Sequence, residues 1–210
     1  MDAEFWHTRW REGRTAFHEP EGNALLAKHI DVLSLEPGAR VLLPLCGKTR
    51  DIAWLLARGQ SVVGVELSRL AVDQLFAELG VAPEISSAGP LLHYAARGLD
   101  IFVGDVFALG PKALGPVAAV YDRAALVALP EPLRARYAAH LVDITGPAPQ
   151  LVVAFEYDPA RLQGPPFSVA GAEIERLYGA SYRVDPLDSR RVGLRGVAEV
   201  DETAWHLRLD

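Results

Sequence analysis

Residues 41–67 read VLLPLCGKTRDIAWLLARGQSVVGVEL, and this stretch decides the fold. Val41, Leu42 and Leu43 form a short run with no polar face, as expected of a strand buried on both sides in a parallel sheet, and Pro44 ends it. Ile52, Leu55 and Leu56 then share one face of a helix that Arg58-Gly59 closes. Ser61 to Val65 supplies a second, β-branched run. Strand, helix, strand predicts a parallel pair with a right-handed crossover.

The same grammar extends in both directions. Leu26, Ile30 and Leu33 recur at helical spacing within residues 23–35, before Pro37-Gly38 stops the segment. Ser68 is a helix cap for the face carrying Val72, Leu75, Phe76 and Leu79, which Gly80 terminates. Apolar strands are predicted at 101–103, 117–120 and 151–155, with a helix at 133–142 between the last two. Residues 182–187 and 203–209 look like strands joined by a turn-rich stretch without a clear helix, which suggests an antiparallel edge. The Gly-Pro clusters at 146–149 and 164–166 read as loops rather than linkers. The expected fold is α/β, one domain over residues 1–210, with a mostly parallel sheet and helices on both faces.

Bulk properties bound the function. A chain of 210 residues that is 50% hydrophobic can bury one sizeable core. Its formal charge of −6 offers no overall positive field for a phosphate backbone, so nucleic acid is not an expected partner. Arg190, Arg191 and Arg195 read as a solvated turn. Cys46 is the single cysteine, which removes any intramolecular disulfide and favours the cytoplasm. The amino end, MDAEFWHTRW, does not resemble a signal peptide, and no apolar run reaches the about 18 residues of a membrane span. The histidines are scattered, His7 and His18 form no metal spacing, and no metal is expected.

Ligands of open α/β sheets bind beyond the carboxyl ends of the strands, so chemistry is sought at 44–49, 66–68, 104–106 and 121–123. Gly47-Lys48-Thr49 matches the end of a phosphate-binding loop, but the full motif needs a glycine where Leu42 stands, inside the strand. The glycines of a dinucleotide motif are missing too, which implies a ligand without phosphates. Glu66 ends the second strand, where a carboxylate can accept hydrogen bonds from both hydroxyls of a ribose; an acid capping the following helix is the alternative. Together these loops suggest an adenosine-type ligand. Cys46 has no neighbouring histidine and reads as a small buried thiol rather than a nucleophile.

Trp6, Trp10 and residues 13–18 (GRTAFH), 43–49 (LPLCGKT), 59–67 (GQSVVGVEL), 104–109 (GDVFAL), 121–129 (YDRAALVAL) and 164–169 (GPPFSV) follow one another along nearly the whole chain. On these motifs the sequence resembles the thiopurine S-methyltransferase family. The resemblance implies a Rossmann-like methyltransferase sheet of seven strands and S-adenosylmethionine as cofactor. In the cofactor site that it implies, Trp10 and Leu45 line the methionine and sulfonium end, Glu66 holds the ribose, and Asp105 and Val106 flank the adenine. Arg123 matches the family's cofactor-binding arginine and is a candidate for positioning the acceptor. Phe17 matches the aromatic residue over the acceptor ring, with Trp6 in the same amino-terminal cover formed by residues 1–35. Without the resemblance, Trp6, Trp10 and Phe17 read rather as core aromatics pinning an amino-terminal helix, and Asp122-Arg123 has a local ion pair as its alternative reading.

The implied reaction is methyl transfer to sulfur of a small thiol, or to selenium or tellurium of a related soft nucleophile. Such acceptors ionise easily, so no dedicated strong base is required. Residues 188–209 are shorter and less tryptophan-rich than the family's corresponding segment, which leaves acceptor contacts from there unassigned. Halide or thiocyanate methyl transfer, a non-catalytic S-adenosylmethionine-binding protein and a phosphate-binding NTPase are the competing readings.

Overall fold

A strand with no polar face must be covered from both sides, and β1 (Arg40–Pro44) is buried from its second residue to its last. The computed structural model describes residues 3–15, 19, 21–194 and 197–209. Equally buried, β2 (Ser61–Glu66) lies parallel to β1 with Arg40 opposite Ser61 and Pro44 opposite Val65. Between them runs α3 (Arg50–Ala57), capped by the Thr49 hydroxyl, which accepts from the Asp51 amide. After β2, the Ser68 hydroxyl accepts from the Ala71 amide and starts α4 (Arg69–Leu79), which Gly80 ends at φ 67°.

Packing divides the chain into two compact units, one of Asp2–Ala24 with Leu35–Ala118, the other of Leu25–Ser34 with Ala119–Asp210. In the first unit, β3 (Glu84–Ala88), β4 (Leu91–Ala96) and β5 (Leu99–Val103) complete a sheet of order β3-β4-β5-β2-β1. β5 is parallel to β2, and β4 and β3 join antiparallel. This unit also holds α1 (Ala3–Arg11), which touches α4, and the short α5 (Pro111–Leu114).

The second unit holds β6 (Ala119–Arg123) and β7 (Gln150–Glu156), a parallel pair joined through α6 (Glu131–Thr145). α7 (Gly171–Tyr178) leads to the long hairpin of β8 (Arg183–Leu194) and β9 (Val197–Arg208), giving the order β6-β7-β9-β8. α2 (Ala24–His29) tightens into a 3-10 turn at Ile30–Leu33 and stops at Ser34, before the predicted end of that helix.

The described residues form nine strands where seven were expected. The extra pair, β3 and β4, is a hairpin turned by Gly89-Pro90, with Gly89 at φ 64°. β3 is almost wholly exposed and β4 buries only Leu91 and Tyr94, so neither carries the apolar run by which the other strands are recognised. An antiparallel arrangement therefore occurs in both units, not only near the carboxyl end. β8 and β9 also extend into the stretch expected to be turn-rich, held by cross-strand pairs such as Arg190–Glu202 and Arg191–Asp201.

Each fully buried Val, Leu or Ile contributes about 1.5–3 kcal/mol, and in β2 that packing leaves no room at Gly64. A Cβ there would lie 2.7 Å from Cys46 Sγ and 2.7 Å from Ile101 Cδ1, both in the core. Gly64→Ala should lower the unfolding free energy in urea by about 1–3 kcal/mol, the usual cost of overpacking. An unchanged midpoint would mean that the core yields freely at this position.

Candidate functional site

At the carboxyl end of β1 the chain makes an abrupt turn in which Leu45 has φ 49° and Gly47 φ 53°. For leucine the left-handed conformation costs about 1–2 kcal/mol, and local hydrogen bonds offset it. The Cys46 amide donates to the Val65 carbonyl at 3.1 Å, and the Gly47 amide donates to Glu66 Oε2 at 2.9 Å. The second carboxylate oxygen, Oε1, accepts from the Ser68 amide at 2.7 Å. Glu66 thus clamps the loop after β1 to the loop after β2, and it also supports the helix entry that the alternative reading assigned to it.

Glu66 is only 6% exposed. Burial pushes its carboxyl above the ordinary range, while the amides of Ser68, Gly47 and Leu67 pull it back. The loop that would cradle a phosphate is therefore filled by the protein's own carboxylate. Lys48, which would reach such a phosphate, pairs instead with Glu78 at 2.5 Å. A third loop joins through the Gly104 amide, which donates to the Glu66 carbonyl at 2.9 Å. Gly104 has φ 144°, and a Cβ there would meet Leu91 Cδ2 at 2.5 Å, so the close approach needs glycine. Asp105 is exposed and caps the turn Val106–Ala108 by accepting from the Phe107 amide; Val106 is buried.

Leu45, Glu66, Asp105 and Val106 are thus carried by three loops that hydrogen-bond to one another. Trp6 and Trp10 lie one helical turn apart on α1, Trp10 buried and Trp6 half-buried with its ring edge-on to Phe5. Phe17 lies outside the described residues. Cys46 is buried, and burial together with the Glu66 charge pushes its thiol well above the ordinary value, as a packing role requires.

Arg123, half-buried, ends β6 in the other unit. Its neighbour Asp122 is fully buried, accepting from the Leu126 amide at 3.0 Å and from the Tyr137 hydroxyl at 2.6 Å. Arg190 and Arg191 lie in strand β8, paired to Glu202 and Asp201 rather than in a solvated turn; Arg195 lies outside the described residues.

One contributor escapes the sequence, and Gly104, within the 104–106 loop that the sequence marks, is legible only as a turn. Asp51, in the first turn of α3, is buried and accepts from the Asn23 amide at 2.7 Å, tying the amino-terminal segment to the helix after the Leu45 loop. Gly104 follows an apolar strand, a placement that marks it for a turn but does not reveal its approach to Leu91.

A family model described as thiopurine S-methyltransferase matches residues 1–208. A thiopurine S-methyltransferase of Xanthobacter autotrophicus is 57% identical over 210 residues, spanning 99% of both chains. Another, from Gluconobacter oxydans, is 47% identical over 206 residues, 97% of this chain and 94% of its own. Among solved structures, the Burkholderia thailandensis 1,6-didemethyltoxoflavin-N1-methyltransferase with bound S-adenosylhomocysteine aligns at TM-score 0.66 and 18% identity, over 99% of this chain and 87% of its own. That likeness concerns the fold, a Rossmann-like α/β methyltransferase architecture.

Burial raises the Asp122 carboxyl from 3.8 to about 6 against the hydrogen bonds that it accepts. A raised pKa favours the folded state at low pH, and that contribution is lost as pH climbs through about 6. Relative to wild type, Asp122→Asn should therefore fare better at pH 7.5 than at pH 4. The change in the stability gap is on the order of 3 kcal/mol at most, and chemical denaturation at the two pH values measures it. A gap independent of pH would show that Asp122 titrates normally.

Proposed function

The chain belongs to the thiopurine S-methyltransferase family, and from that premise we propose that it moves a methyl group from S-adenosylmethionine to sulfur, or to selenium or tellurium, of a small molecule. Membership makes it an S-adenosylmethionine-dependent methyltransferase; the acceptor atom and the residue roles are the proposal. The observation that carries it is Glu66, a buried carboxylate at the end of β2 whose structural partners are backbone amides.

An ionised carboxylate only accepts hydrogen bonds, and each oxygen has lone-pair capacity beyond one amide. Vicinal hydroxyls of a ribose suit that set of acceptors, whereas a phosphate would meet like charge. The residues present thus fit the cofactor: Glu66 would hold its ribose, Leu45 and Trp10 its methionine and sulfonium end, and Asp105 and Val106 its adenine, with Arg123 assigned to the same ligand. When bound, it supplies an already activated methyl group.

What is asked of the protein is then orientation and exclusion of water. The Trp10 ring attracts a sulfonium through its π-face. Arg123 favours the ionised form of an acceptor thiol and aims it, so no histidine–carboxylate base is needed. Phe17 and Trp6 pack the acceptor, and residues 1–35 act as the cover, within a single catalytic domain. Cys46, buried and protonated, takes no covalent part. Among the described residues no helix is long and apolar enough to cross a membrane, and a cytoplasmic location belongs to the same proposal.

The test is S-adenosylhomocysteine formation from S-adenosylmethionine and an aryl thiol, comparing wild type with Glu66→Gln, the folding of each checked by its denaturation midpoint. Loss of charge-assisted hydrogen bonds to hydroxyls should raise the KM for S-adenosylmethionine about 10–100-fold. Wild-type KM in the variant would remove Glu66 from the site. Turnover of iodide but of no thiol or selenol would overturn the acceptor.

A further inference from the structure

At the end of β6 the backbone does something unusual for its sequence. Ala124 takes φ 64°, a left-handed conformation without glycine, and the next five residues, Ala125 to Leu129, are buried. Asp122 closes this turn from within, accepting from the Leu126 amide four residues on and from the Tyr137 hydroxyl on α6. Tyr178 of α7 faces the same carboxylate with its own hydroxyl buried and without a hydrogen-bond partner. Burial and the Asp122 charge keep the Tyr137 hydroxyl protonated, so it stays a donor. Adjacent strand residues point to opposite faces, so while Asp122 turns toward α6 and α7, Arg123 leaves on the other side.

We propose that Asp122 is a positioning residue for Arg123: by bridging the Leu126 amide and the Tyr137 hydroxyl it holds the turn at Ala124, and with it the direction in which Arg123 meets the methyl acceptor. A left-handed alanine is disfavoured by the clash of its Cβ with the following carbonyl oxygen, so a turn that loses its bridge relaxes toward ordinary backbone angles, and the strand end moves with it. A displacement of about 1 Å at a reacting group is worth about 100-fold in rate. Asp122, wholly buried, does not itself touch the acceptor. The inference rests on the acceptor-facing role of Arg123.

The experiment compares purified full-length wild type with Asp122→Asn, Tyr137→Phe, Arg123→Ala and the double variant Asp122→Asn/Arg123→Ala. Two quantities are read: kcat/KM for 4-nitrothiophenol at saturating S-adenosylmethionine, and the Arg123 Nε–H resonance of the cofactor-free protein. Arg123→Ala should lower kcat/KM about 10–100-fold, the range for a lost charged contact, and Asp122→Asn or Tyr137→Phe about 10-fold. If Asp122 acts through Arg123, the double variant falls no further than Arg123→Ala alone, within about twofold. Multiplicative losses would mean that Asp122 only supports the fold, and they overturn the inference while sparing the role of Arg123. Wild-type kcat/KM in Arg123→Ala overturns both. If no protein turns over the thiol, the acceptor assignment fails and the resonance decides: a shift in Asp122→Asn and Tyr137→Phe supports positioning, and an unmoved signal overturns it. Should Asp122→Asn not fold, Tyr137→Phe and the double variant Tyr137→Phe/Arg123→Ala give the same comparisons.

Discussion

A carboxylate taken out of water must find donors or give up its charge. Glu66 finds them in the Gly47 and Ser68 amides, and the surrounding loops are arranged around that clamp. It draws the loop after β1 across the end of β2, it fixes the entry of α4, and its backbone carbonyl receives the amide of Gly104 after β5. The left-handed Leu45 is sustained by the same set of bonds. Three strand ends are thereby brought into register by one side chain and its own backbone.

The clamp also decides which chemistry fits. A glycine-lysine-threonine loop suggests phosphate until the space in front of its amides is seen to hold an anion already, and until Lys48 is found paired with Glu78. A ligand approaching this carboxylate does best by offering hydroxyl donors and no negative charge. Membership of the family makes S-adenosylmethionine the cofactor, and the ribose role proposed for Glu66 draws on its acceptor oxygens.

Asp122 is a second carboxylate near a strand end, with different consequences. Its oxygens are taken up by Leu126 and Tyr137, and no part of it reaches the surface. Glu66 is bonded to the loops after β1 and β2; Asp122 is sealed beneath the turn that follows β6. Both carboxyls are raised by burial, a cost accepted at positions where a particular backbone path matters more than stability.

Periodicity alone located β1, β2, β5, β7, α3 and α4, because buried parallel strands and amphipathic helices write their burial into adjacent residues; it set β6 too early, at 117–120, where the strand is Ala119–Arg123 and ends on the polar Asp122 and Arg123. Ser68 and Gly80 were legible as caps for the same local reason, and the match of whole motifs such as LPLCGKT and YDRAALVAL carried the family. The β3–β4 hairpin was not legible: its exposed residues have no apolar run, and its pairing is specified by contact with β5. The length of the β8–β9 hairpin was likewise set by cross-strand ion pairs between residues about ten positions apart. Tertiary structure alone decided that Glu66 bridges two loops, that Lys48 turns to Glu78, that Asp51 holds Asn23, and that Asp122 bonds Tyr137 on another element. Sequence determines what each segment prefers over one or two turns; which donor meets which carboxylate depends on how distant segments are packed, and a one-dimensional pattern does not contain that distance.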